Sequence, residues 1–260
     1  MEEPLRLSDL IPRHRRTYQR IALVMGTCVA VLAALHVASR LFLSALTTDG
    51  KVAALDLDTE GNLASWFSFA VLFLAGQTAL ILRHLVGAPA LSTQDALFRR
   101  RVRRDLLFTA FVCLLMSMDE GASLHEGFKE MIARIIGTPL YGDGSIYWIV
   151  PYFLLLATMG WKLIRLTGVS PAGLMLLATG GLWTLAIANQ LELISANAQV
   201  GIVVEESCEM LGHASLLLAL ALLGRQWIEA ADNQPRTRRA LSPHIPGASG
   251  AADRRLNTGR

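Results

Sequence analysis

Two stretches of the chain carry side chains that could do chemistry at close quarters. One reads Ser117-Met118-Asp119-Glu120-Gly121-Ala122-Ser123-Leu124-His125-Glu126. The other reads Val204-Glu205-Glu206-Ser207-Cys208-Glu209-Met210-Leu211-Gly212-His213. Both are set into long apolar runs. An ionised carboxylate at the centre of a membrane span costs roughly 3 kcal/mol even on the lenient insertion scale. Several together therefore need partners, protonation or a metal ion.

Spacing says how these groups would be presented. On a helix in the second stretch, with Glu206 set at zero, Glu205, Glu209 and His213 fall at about 260°, 300° and 340°. The four share an arc of about 100°, a single polar stripe on an apolar helix that should face the interior of a bundle. In the first stretch Asp119 and Glu126 are seven apart and nearly eclipsed, and Ser123 and Glu130 continue that face. Glu120 and His125 diverge by about 100° to either side, and Gly121 and Gly127 could bend the helix.

Four carboxylates (Asp119, Glu126, Glu206, Glu209) and two imidazoles (His125, His213) have the ligand inventory of carboxylate-bridged di-iron and di-manganese sites in four-helix bundles. The Glu-x-x-His spacing of that class is absent, and Glu-x-x-Glu-x-x-x-His stands in its place. Oxygen and imidazole ligands suit Fe, Mn or Zn, and bound metal would offset the insertion cost. The metal reading takes those six residues as ligands, with Glu120, Glu205, His36 and Arg40 as alternates or supporting groups. Chemistry at such a site would act on a lipid-like or small-molecule substrate, by di-iron oxidation or by hydrolysis with Zn-activated water. A second reading is a proton- or cation-coupled transporter, since Asp, Glu and His chains within membranes are typical proton pathways. A third is structural: Arg40 pairs with Glu206 or Glu126, and the polar network only holds helices together or recruits a partner subunit. Serine catalysis has no support, because no Gly-x-Ser-x-Gly elbow is present. Neither is a zinc hydrolase with a His-x-x-x-His pair supported.

The elements that must position these groups follow from hydropathy. Of 260 residues 53% are hydrophobic and only 17% charged, below the roughly 25% of soluble domains. The mean hydropathy is +0.42. The apolar residues sit in runs of about 20, the length a bilayer requires. The expectation is an all-α, polytopic bundle of six spans: 21–43, 63–85, 106–128, 146–164, 172–193 and 200–223. The chain then divides into an N-terminal segment 1–20, a transmembrane domain 21–224 and a basic, disordered tail 225–260. A short interfacial helix is expected over 128–136. The third span is the irregular one, because its uninterrupted apolar stretch, Leu106 to Met118, is too short to cross unless Asp119, Glu120, His125 and Glu126 enter the membrane or its interface.

Charge assigns the sides. Arg13, Arg15, Arg16 and Arg20 precede the first run, Arg99 to Arg104 follow the second, Lys162 and Arg165 close the fourth, and Arg225, Arg236, Arg238 and Arg239 follow the sixth. The connector after the first run is acidic, with Asp49, Asp56, Asp58 and Glu60 against Lys51, and the one after the fifth lacks Lys and Arg. By the positive-inside rule both termini are cytoplasmic. Asp119 then lies about 20 Å up a 30 Å core, Glu206 about 9 Å and His213 about 20 Å below the outer edge, so the two motifs meet in the outer half of the bilayer.

Membrane lipids are the expected surroundings; in a bacterial cell that means the inner membrane, because the spans are helices rather than barrel strands. A net charge of +3 with no basic face or RNA motif argues against nucleic acid. Cys28, Cys113 and Cys208 all fall in apolar runs and read as small buried hydrophobes rather than a disulfide framework. The first apolar run is longer than a signal h-region and follows about twenty polar, Arg-bearing residues, so it is read as a span.

Overall fold

The computed structural model describes residues 7–43, 47, 52–59, 61–86, 95–137, 146–191, 193–194 and 197–241. Seven α-helices are described: α1 (Arg15–Ala38), α2 (Leu63–Leu85), α3 (Ala96–Ala122), α4 (Leu124–Ile136), α5 (Ile146–Thr167), α6 (Pro171–Gln190) and α7 (Ala198–Leu241). A wider π-type turn, Ser39–Leu43, extends α1. Among the described residues there is no strand. Five helices are long and apolar enough to cross a membrane; α3 and α4 pass the same test only as a pair, bent by 79°.

Local sequence fixes several helix ends. Asn62 starts α2 by accepting the Ser65 N–H at 2.8 Å, and Ser170 starts α6 by accepting the Gly173 N–H at 3.2 Å, with Pro171 in the first turn. Side-chain oxygens at these positions satisfy amides that the helix leaves without partners, which matters more where little water is available.

Two helix pairs, α2 with α3 and α6 with α7, form the closest contacts, and α5 packs against α3 and α6. The core is built from Leu72, Ala75, Ala79 and Leu82 of α2, Leu106, Ala110 and Cys113 of α3, Leu163 of α5, and Leu216 and Leu220 of α7. Between membrane helices lipid is as apolar as leucine, so close packing rather than water exclusion supplies the attraction. Gly212 is where that packing is tightest at the site: a Cβ there would lie 2.6 Å from the Trp183 ring of α6. Helix α1 stands outside the core and touches α7 through Val29 and Met210. Its exposed Leu23, Val24, Leu41 and Phe42 form an apolar outer face.

One end of the bundle gathers the N-terminal segment and the later part of α7. Ile11 and Leu82 close over Gly224, Tyr18 Oη lies 3.1 Å from the Ala221 carbonyl, and Arg13 meets Asp232 at 3.5 Å. At the same end Asp105 of α3 is bonded to Lys162 of α5 at 2.6 Å.

Two helix boundaries depart from the sequence expectations. Helix α3 stops at Ala122 instead of running to residue 128, and α4 begins at Leu124 rather than at Phe128. Ser123 stands between them in the left-handed region at φ 51°, the one non-glycine residue with positive φ among those described. And α7 continues to Leu241, well past the apolar run, so residues 225–241 are helical where disorder was expected. Glu192, the connector 138–145 and the tail 242–260 lie outside the described residues.

Candidate functional site

The break at Ser123 is built by Asp119. The Asp119 carbonyl accepts the Ser123 N–H at 2.7 Å, ending α3, and its carboxylate Oδ1 accepts the His125 N–H at 2.7 Å, where α4 begins. A carboxylate at a helix N-terminus satisfies an orphaned amide and is favoured by the helix dipole. The same Oδ1 lies 3.1 Å from His125 Nδ1, and Oδ2 accepts the Tyr152 hydroxyl of α5 at 2.6 Å. With the ring proton on Nδ1, His125 donates to Asp119, which leaves Nε2 as its lone-pair nitrogen. His125 Nε2 is 3.6 Å from Glu126, and Glu126 is bonded to Lys129 at 2.8 Å. The Trp148 ring packs at 4.9 Å from His125 and at 5.6 Å from Tyr152, bracing both.

Helix α7 supplies the facing wall. Its Glu205, Glu206, Glu209 and His213 present one stripe, as the spacing predicts. Asn189, near the end of α6, donates to the Gly201 carbonyl at 2.8 Å and lies 3.3 Å from Glu205 Oε2, holding the start of α7. His213 is buried at 2% exposure, its Nδ1 is 3.2 Å from Ser68 Oγ of α2, and its ring meets Trp183 edge-on at 5.8 Å.

These walls enclose one cavity of about 200 Å³. Asp119, Glu120, His125 and Glu126 line it from α3 and α4, Glu205, Glu206, Glu209 and His213 from α7, and Asp58 from the connector after α1. Seven carboxylates and two imidazoles thus share one cavity, with Trp148, Tyr152 and Trp183 as its aromatic surfaces. Among the described residues no Lys or Arg lines it. Nor do any three His, Cys, Asp or Glu side chains among them stand close enough together, as placed, to hold a metal ion.

Eight of the ten residues singled out in the sequence meet at this cavity. The other two, His36 and Arg40, stand behind it and hold its rim. Arg40 reaches Asp56 at 2.8 Å and Asp58 at 4.0 Å, not Glu206 or Glu126 as the structural reading expected. His36 Nδ1 accepts the Leu57 N–H at 3.0 Å, which makes the ring a neutral prop although Asp56 is only 3.4 Å away. The eclipsed pairing expected for Asp119 and Glu126 does not form, because the 79° bend puts them on different helices.

Sequence reasoning missed Asp58, Ser68, Tyr152, Trp148 and Trp183. Tyr152 and Trp148 are four apart at the start of an apolar run, a pattern shared with interfacial anchors. What separates the two cases is the facing Asp119, which lies on another helix.

No curated protein and no solved structure matches the chain. Residues 22–223, most of its length, match the model of a domain of unknown function (DUF8692), and the chain belongs to that family.

Proposed function

We propose that the acidic cavity is a cation site in the outer half of the membrane, that its occupant is a divalent metal ion, and that the ion acts on a lipid-like substrate. In this reading the chain crosses six times with both ends cytoplasmic. The bent α3–α4 pair counts as one crossing, since Ile11 and Gly224 at one end of the bundle require an even number. The Arg-rich connectors then lie on the inner side.

The observation that carries the proposal is the Asp119–His125 pair inside a cavity of carboxylates. A metal-binding histidine commonly donates its other ring N–H to a carboxylate, which fixes its tautomer and orientation. Asp119 does this for His125 and is itself fixed by Tyr152. His125 Nε2, Glu126 and the α7 glutamates Glu205, Glu206 and Glu209 are then the ligand set, with Glu120 and His213 beside it. Asp119 serves as the orienting carboxylate. Fe, Mn and Zn suit these oxygen and imidazole donors. Convergence of the ligands requires rotation of the long glutamate side chains.

The test is elemental analysis of the full chain purified in mild detergent, beside Glu206→Gln/Glu209→Gln. Stoichiometric Fe, Mn or Zn in the parent, lost in the folded double variant, is expected. A parent that holds none, even after incubation with each ion, would overturn the metal reading.

One observation favours a second reading, proton- or cation-coupled transport. A hydrogen-bonded row runs Tyr152–Asp119–His125 into the carboxylate cavity, the kind of chain that conducts protons in membranes. It predicts proton-coupled uptake into proteoliposomes that Glu209→Gln abolishes; unchanged flux in that variant contradicts it.

A further inference from the structure

A second cavity, of about 460 Å³, opens between α5 and α6 and is almost wholly apolar. It shares Leu156, Trp183 and Ile187 with the acidic cavity, so the two adjoin across one wall. From Phe153 to Ile164 along α5 it extends about 16 Å away from the acidic end, at 1.5 Å per residue. Trp183 is 9% exposed and its indole N–H has no hydrogen-bond partner among the described residues. Gly160, Gly180 and Gly181 line the apolar part, and a Cβ added at any of them meets no heavy atom within 4 Å. A polar cavity that adjoins an apolar slot matches a molecule with a polar head and a hydrocarbon chain. The head lies at the acidic end, and the chain would run along α5 through the bilayer centre to the level of Lys162. The groove on α1 between Ala22 and Ala34, about 450 Å³, has the same apolar character, but its lining holds no charged residue and Thr27 is its one polar side chain. It is the appearance of a purely lipid-facing surface.

We propose that the α5–α6 cavity is the chain-binding half of the site, and that the substrate is a single-chain amphiphile with its oxygen-bearing head at the acidic cavity and its chain along α5. This rests on the cation reading above, in which the bound ion meets the head oxygen, with the Trp183 N–H at the junction of the two halves.

The experiment uses the full chain in lipid nanodiscs and a long-chain alcohol with a photoreactive diazirine at the chain end. Labelled peptides are mapped, and Mn²⁺ and Zn²⁺ affinities are measured on the same samples. Labelling concentrated on 153–164 and 176–187, reduced about tenfold by Gly180→Leu and by Gly160→Leu with ion affinity unchanged, is expected; tenfold corresponds to 1.4 kcal/mol. Labelling spread equally over the α1 groove, or indifferent to both leucine substitutions, would overturn the chain site and leave the cation reading standing. Labelling confined to α5–α6 in a protein that binds neither ion would uphold the chain site and overturn the cation reading.

Discussion

At the end of the bundle that carries the N-terminal segment, Asp105 of α3 meets Lys162 of α5 at 2.6 Å and Arg104 of its own helix at 3.9 Å. At the other end Asp119 sits in a cavity with six more carboxylates. Both aspartates are 6% exposed and both belong to α3. The first is held by cations on two helices and borders no cavity named above, so it reads as a tie between those helices. The second shares its cavity with carboxylates drawn from α3, α4, α7 and the connector after α1, an arrangement suited to binding a cation. Stability and binding should therefore respond to mutation in opposite ways at the two ends.

The largest effect is expected at the matched pair. Lys162→Met leaves Asp105 buried without its ammonium and should cost about 3 kcal/mol, the low end for a broken buried pair because Lys162 is partly exposed. Adding Asp105→Leu should restore most of that loss in thermal unfolding. Equal destabilisation of the single and double variants would remove the ion pair from the account. Gly212→Ala comes next: the new methyl meets Trp183, and about 2 kcal/mol should be lost through overpacking. Tyr152→Phe removes a hydroxyl donated to a carboxylate and should cost about 1.5 kcal/mol. It should also weaken cation binding, because Asp119 no longer holds His125 as firmly. A loss of stability with unchanged binding would confine Tyr152 to a packing role. Ser123→Gly relieves a left-handed serine and should add up to about 1 kcal/mol. A destabilised glycine variant would show that the Ser123 side chain itself holds the bend.

The two ends also differ in how far they can be read from the chain. Apolar runs gave the span-like helices nearly to the residue for α2, because a helix that faces lipid cannot hide a polar interruption. The α7 stripe was legible for the same reason. Four ionisable groups on one arc can be tolerated only toward the interior, and depth then put them level with Asp119. The bend at Ser123 was not legible. It depends on whether the Asp119 carboxylate turns to cap α4, which is decided by Tyr152 and His125 rather than by propensity. Arg40 was assigned to the wrong carboxylate because Asp56 lies in a short connector, where an acid usually reads as solvated; folded back, it is fully buried against Arg40. Lys162 was read only as a mark of topology and Asp105 was passed over, since their pairing joins helices 57 residues apart in the chain. The helical extension of α7 to Leu241 crosses Pro235 and an Arg-rich stretch, composition that ordinarily signals a tail.

Calorimetric titration of the purified chain with Mn²⁺ and Zn²⁺ tests the cation site most directly. It should be run on the parent, on Glu206→Gln/Glu209→Gln and on Asp105→Leu/Lys162→Met. The account predicts saturable binding in the parent and in the Asp105/Lys162 variant, and its loss in the glutamine variant. Binding that survives the two glutamine substitutions, or is missing from the parent for both ions, would contradict it.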